Sequence, residues 1–168
     1  MSMQRNYGVL RASLPLSDSM NATFSLQGAD YPVNWRFDFI VAITTLRVVG
    51  HVLHKVDCLM FPVIKPEVEA RFLRWKRGQG DDVLFTDFIE ESRNTLLKTY
   101  SFPSADTTAF DEDEFGCFID EEMHPDVVQR GPFKGENVIG LLQHSHRWWQ
   151  SELSDIAGFV PNLVEELR

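Results

Sequence analysis

From Asn34 to about Val56 apolar residues recur at helical spacing, and no other stretch constrains the fold as much. Winding the chain at ~100° per residue puts Phe39, Ala42, Leu46, Val49, Val52, Leu53 and Val56 on one arc, with Thr44, Arg47, His51, His54, Lys55 and Cys58 opposite. A helix of this kind must lay its apolar arc against other elements. Three similar segments follow. Pro66 opens a second helix where its missing N–H costs nothing, and Gly78-Gln79-Gly80 closes it. Asp81 or Asp82 is expected to cap a third, with Phe85, Phe88, Ile89, Leu96 and Tyr100 on its buried side and Pro103 just beyond its end. A fourth, about Glu136 to Ala157, buries Val138, Leu142, Trp149, Leu153 and Ile156; Gly158 closes it and Pro161 begins a short terminal helix.

Residues 8–33 alternate loosely, as in Ala22-Thr23-Phe24-Ser25-Leu26, with Pro15, Ser17, Asp18 and Gly28 as punctuation. That pattern predicts a short hairpin or irregular arm. A chain of 168 residues, 43% hydrophobic, can bury one sizeable core. The expected fold is therefore a mainly α single domain over residues 1–168, a helical bundle of about four main helices with a short β or irregular N-terminal arm and an acidic loop insertion. Its parts are the arm (1–33), a three-helix portion (34–102), the acidic insertion (103–135) and the C-terminal helices (136–168).

No run approaches the ~20 apolar residues that cross a bilayer, and no apolar stretch of a secretory signal follows the polar start. A cytoplasmic protein without a membrane partner is expected, with Cys58 and Cys117 reduced. The net charge of −9 is uneven: Asp106, Asp111, Glu112, Asp113, Glu114, Asp120, Glu121, Glu122 and Asp126 fall between Ser104 and Gln129, where there is no Lys or Arg. Without those nine, the remaining 16 acids equal the 16 Lys and Arg. A neutral body with one acidic segment can still hold a local basic site, so charge alone does not exclude nucleic acid.

Chemistry-bearing residues concentrate on the third helix, in Arg93-Asn94-Thr95-Leu96-Leu97-Lys98-Thr99-Tyr100. This stretch resembles the motif of the HEPN family of helical-bundle proteins, many of them ribonucleases of defence or toxin-antitoxin systems. The motif is an Arg, often followed by a polar residue, then after several positions a His, in some branches with a Tyr two further on. Arg93, Asn94 and Tyr100 match; Lys98 stands where the family has His. The resemblance implies an RNA-binding protein or degenerate, metal-independent ribonuclease that works as a homodimer without a cofactor. Arg93 and Lys98 would hold phosphate, Asn94 would orient the site and Tyr100 would support it. Imidazole exchanges protons near neutral pH and an ammonium does not, so Lys98 favours binding over cleavage. On residue chemistry alone, Glu90, Arg93, Asn94 and Lys98 are also what a solvated helix face contains.

The first helix offers the missing imidazole. Arg47, His51 and His54 share its polar stripe, and a composite site would bring His51 or His54 to Arg93. His51, His54 and Cys58 also have spacing that suits zinc, with Cys117 or His124 as a fourth donor, and Asp111 to Glu122 partly follows a calcium-loop pattern that fails at Phe115. An acidic surface loop is the simpler reading of that segment, and no metal is expected. Trp148 and Trp149 diverge by ~100°, so Trp148 needs a partner of its own. The alternative to RNA is a non-catalytic protein-interaction module using the acidic loop and exposed aromatics.

Overall fold

The computed structural model describes residues 7–29, 33–103 and 127–160. Among the described residues five helices pack around one core, and no strand forms beyond a single bridge between Val127 and Asn137. They are α1 (Ser13–Leu26), α2 (Val33–Val52, continued by a wide turn at Leu53–Asp57 and then Cys58–Met60), α3 (Lys65–Trp75), α4 (Leu84–Glu90 and Glu91–Thr99) and α5 (Val138–Ala157).

The mainly α class follows the sequence, but the hairpin or irregular arm does not hold, because residues 13–26 are a regular helix. Its buried residues, Leu16, Ser19, Ala22, Thr23 and Leu26, fall at helical spacing, and Pro15 sits in the first turn, where no N–H is required. The apparent alternation came from Phe24, which is 78% exposed. The chain ahead of the helix is anchored from a distance. Asp57, fully buried, accepts the backbone N–H groups of Arg11 at 2.7 Å and Ala12 at 2.9 Å. Its carboxylate thereby satisfies two donors just ahead of the first turn of α1. Replacing Asp57 by Ala leaves the buried N–H of Ala12 and the part-buried N–H of Arg11 without their acceptor, and an expected loss of about 2 kcal/mol is read from the denaturant midpoint at unchanged slope.

On α2 Phe39, Ala42, Leu46, Val49 and Leu53 of the expected arc are buried, whereas Val52, expected with them, is only half-buried. Val56 is exposed. The wide turn at Leu53–Asp57 adds a residue to the helical repeat, which turns Val56 outward and Asp57 inward. Gly50 marks close packing: a Cβ there would meet the ring of Trp149 at 3.2 Å. Residues Asn34–Met60 form one helix long and apolar enough, by length and composition, to cross a membrane, contrary to the expectation from short apolar runs. It packs against α1, α4 and α5 within the fold.

Pro66 lies in the first turn of α3, and Gly78 and Gly80, both at positive φ, reverse the chain after it. Neither Asp81 nor Asp82 caps α4; Asp82 is buried and accepts from Arg74 Nε (3.0 Å) and Trp148 Nε1 (3.2 Å). Phe85, Phe88, Ile89 and Leu96 face inward, but Tyr100 is exposed, because it ends α4 in the left-handed conformation at φ 53°. Asn137 caps α5 by accepting from the N–H of Gly140 at 2.9 Å. All five expected residues of α5 are buried. Trp148 finds its partner within the chain, edge-on to Trp75 at 5.5 Å and beside Phe85 at 5.9 Å. The acidic residues of 104–126 and the terminal helix after Pro161 lie outside the described residues.

Candidate functional site

Three contacts set the register of α2 against α4. Trp35 and Phe39 meet Phe102 edge-on at 6.2 and 5.8 Å, and Arg47 pairs with Glu90 at 3.1 Å. The helices therefore run antiparallel, with Arg93 level with about Thr44. At 1.5 Å per residue, His51 and His54 lie roughly 10 and 15 Å further along α2. Both imidazoles are exposed. Within one chain this register does not bring them to Arg93, and among the described residues no hydrogen bond or ion pair links either to Arg93, Asn94, Lys98 or Tyr100. Arg93 is half-buried and donates from Nη1 to Asn94 Oδ1 at 2.8 Å, whereas Lys98 is exposed. Residues five apart on a helix diverge by about 140°, so Arg93 and Lys98 point to different sides. Tyr100 stacks edge-on against Phe102 at 5.5 Å.

Arg47 is engaged as well, placed over the Phe85 ring at 5.5 Å in addition to its pairing with Glu90. The zinc spacing does not survive the wide turn: Cys58 is buried while His51 and His54 face solvent, and burial, then the nearby Asp57 and Glu69 carboxylates, push its thiol pKa up. Among the described residues no group of three His, Cys, Asp or Glu could hold a metal. Cys117, His124 and the calcium-like segment 111–122 lie outside them.

Sequence reasoning missed two buried polar sites. Ser19 Oγ donates to the Ala42 carbonyl at 2.8 Å and lies 2.9 Å from His146 Nε2. With the hydroxyl proton committed to the carbonyl, His146 donates from Nε2. The pair resembles a nucleophile and base, yet the serine is fully buried and spends its proton on a backbone oxygen, so it ties α1, α2 and α5 together instead. Burial, then the charge of Arg147, lower the pKa of His146 to about 4. The second site is ionic. Glu152 on α5 accepts from Arg71 Nη1 at 2.8 Å and from Arg74 Nη2, both on α3; Arg71 also meets Glu67 at 2.6 Å, and Arg74 meets Asp82. Residues 127 and 81 positions apart meet in these sites, beyond the reach of any local motif.

One concavity was also illegible in the sequence, since one wall is a loop. It is a groove of about 620 Å³ between α4 and residues 128–133. Asp87, Glu91, Thr95 and Thr99, spaced four apart, form a polar stripe on the helical wall. Phe88, Phe102, Val128, Pro132 and Phe133 supply apolar surface, and Phe133 packs edge-on to Phe88 at 6.0 Å. The loop is held by Gln129 N–H to the Pro103 carbonyl at 2.8 Å, Val128 N–H to Glu136 at 2.9 Å and Gly135 N–H to Val128 at 2.8 Å. Its size is that of a ligand site.

Compared with models of known families, with curated proteins and with solved structures, the chain matches none.

Proposed function

We propose that the protein works by association, as a non-catalytic, homodimeric protein-interaction module. The observation that carries this reading is the outward face of α2. A helix this apolar on average belongs largely in an interior, yet in the most apolar window of Asn34–Met60 only 33% is buried. Phe37 is 66% and Val48 42% exposed, with Val41 and Val52 half-buried. The hydroxyls between them are already satisfied, since Thr44 donates to the Ile40 carbonyl at 2.5 Å and Thr45 to Val41 at 2.6 Å. This face reads almost the same in both directions from the Thr44–Thr45 pair, with Val41 and Val48 on either side, then Phe37 and Val52.

A two-fold axis through that pair would lay Val41 of one copy against Val48 of an antiparallel copy and Phe37 against Val52, with the threonines meeting at the axis. With that axis the copies overlap over residues 33–56, about 36 Å of helix 10–12 Å across, so pairing the outward halves covers on the order of 1,200 Å², at the lower end of stable interfaces. Sedimentation equilibrium is expected to give a dimer that Val48→Lys converts to a folded monomer. A monomeric wild type, or a dimer indifferent to this change, would contradict the reading; adsorption of the face to neutral phosphatidylcholine vesicles would replace it with a membrane role. The RNA reading around Arg93 gains less support, because its imidazole and ammonium candidates are apart. Fluorescence anisotropy with single-stranded RNA tests it: tight binding that weakens steeply with salt and is lost in Arg93→Ala would restore it.

A further inference from the structure

We infer that the groove between α4 and residues 128–133 binds a basic segment of a partner protein through an aliphatic or aromatic anchor. This deepens the interaction reading and uses a surface separate from the α2 face.

Two features define the occupant. The apolar surface of Phe88, Phe102 and Phe133 excludes a ligand that is polar throughout, since such a ligand would lose its hydration without replacement. Charge gives the rest. Asp87 and Glu91 stand on the helical wall, in a chain whose net charge is −9. Arg130, on the loop wall, already has an interaction partner. Negative charge around an apolar cleft draws in cations and repels phosphate backbones, which favours a cationic peptide over nucleic acid. The hydroxyls of Thr95 and Thr99 on the rim give their protons to Glu91 and to the Thr95 carbonyl, which leaves their oxygens as acceptors for N–H groups of the peptide's main chain.

Panning a random 12-residue peptide display library on the full-length protein tests the inference. Enriched sequences are expected to combine net positive charge with one or two large apolar residues. Synthetic peptides made from them should bind at least ten-fold more weakly to Thr95→Arg, which fills the groove with bulk and like charge, and to Glu91→Lys, while both variants keep the wild-type circular dichroism. Their Ala-for-apolar versions should also bind at least ten-fold more weakly, which separates groove binding from attraction to the acidic segment alone. Failure to enrich, enrichment of neutral or acidic sequences, or affinities unchanged in both variants would overturn the groove assignment. Dimerisation is read separately by sedimentation, so a dimeric protein that selects no cationic peptide loses only this inference. A monomer that selects one loses only the α2 dimer.

Discussion

Replacing Glu152 by Ala is expected to cost about 3 kcal/mol, lowering the melting temperature by roughly 6–12 °C for a chain of this length. Glu152 is the shared acceptor of Arg71 and Arg74, and with a side chain only 10% exposed it has little access to water. Burial alone would lower the pKa of both guanidiniums, but hydrogen bonds and charge from Glu152, joined by Glu67 at Arg71 and by Asp82 at Arg74, outweigh it and raise them. Without the carboxylate, Arg71, at 14% exposure, keeps Glu67 and the longer pair to Asp155 of α5 at 3.6 Å but loses its shortest cross-helix contact. Arg74 is nearly half exposed and retains Asp82, which limits the loss. Because the damage comes from a stranded charge, Arg71→Met combined with Glu152→Leu should be less destabilising than the two single losses added together. Additive losses in urea unfolding would show that α3 and α5 are held by packing alone.

Acid should weaken the fold through a single imidazole. The pKa of His146 falls from 6.5 to about 4 on folding, chiefly through burial beside Ser19. Between these values the unfolded chain binds a proton that the folded one refuses, so this contribution to stability is complete above pH 6.5 and is lost as pH falls through about 4. The expected loss is about 3 kcal/mol over that interval. Asp57 acts in the opposite sense. Burial, opposed by the N–H groups of Ala12 and Arg11, raises its folded pKa, so on acidification the folded state takes up that proton first and gains stability. The test is therefore a difference: His146→Gln, which keeps a donor near Ser19 and removes the titration, should flatten the slope of unfolding free energy against pH between 6.5 and 4. An unchanged slope would assign acid sensitivity elsewhere.

What the sequence made legible was local and periodic. The buried face of α2 as far as Leu53, that of α5 and the glycine turn after α3 all follow from spacing or from φ preferences that one segment expresses by itself. Misreadings arose where a distant group decided the outcome. The N-terminal segment looked strand-like because Phe24 faces solvent and because the acceptor for Arg11 and Ala12 sits on Asp57. Val56 was assigned to the core because a single helical period was carried through a turn that breaks it. For the site, residue types were readable and distances were not. Arg93, His51 and His54 have the chemistry of an RNA site, but the antiparallel register fixed by Trp35, Phe39, Phe102, Arg47 and Glu90 separates them along α2. The groove has one wall on α4 and the other on a loop, and no motif spans both.

Two dimer-related copies of α2 should place residue 44 of one subunit beside the same residue of the other. Site-directed cross-linking measures this directly: Thr44→Cys, made with Cys58 and Cys117 replaced by Ala, is oxidised with copper phenanthroline and run on a non-reducing gel. The expected result is a covalent dimer formed at micromolar protein and suppressed when Val48→Lys is added, while a cysteine at Phe24, away from the axis, stays unlinked. A Thr44→Cys protein that remains monomeric under those conditions, or that links no faster than the Phe24→Cys control, would contradict the account.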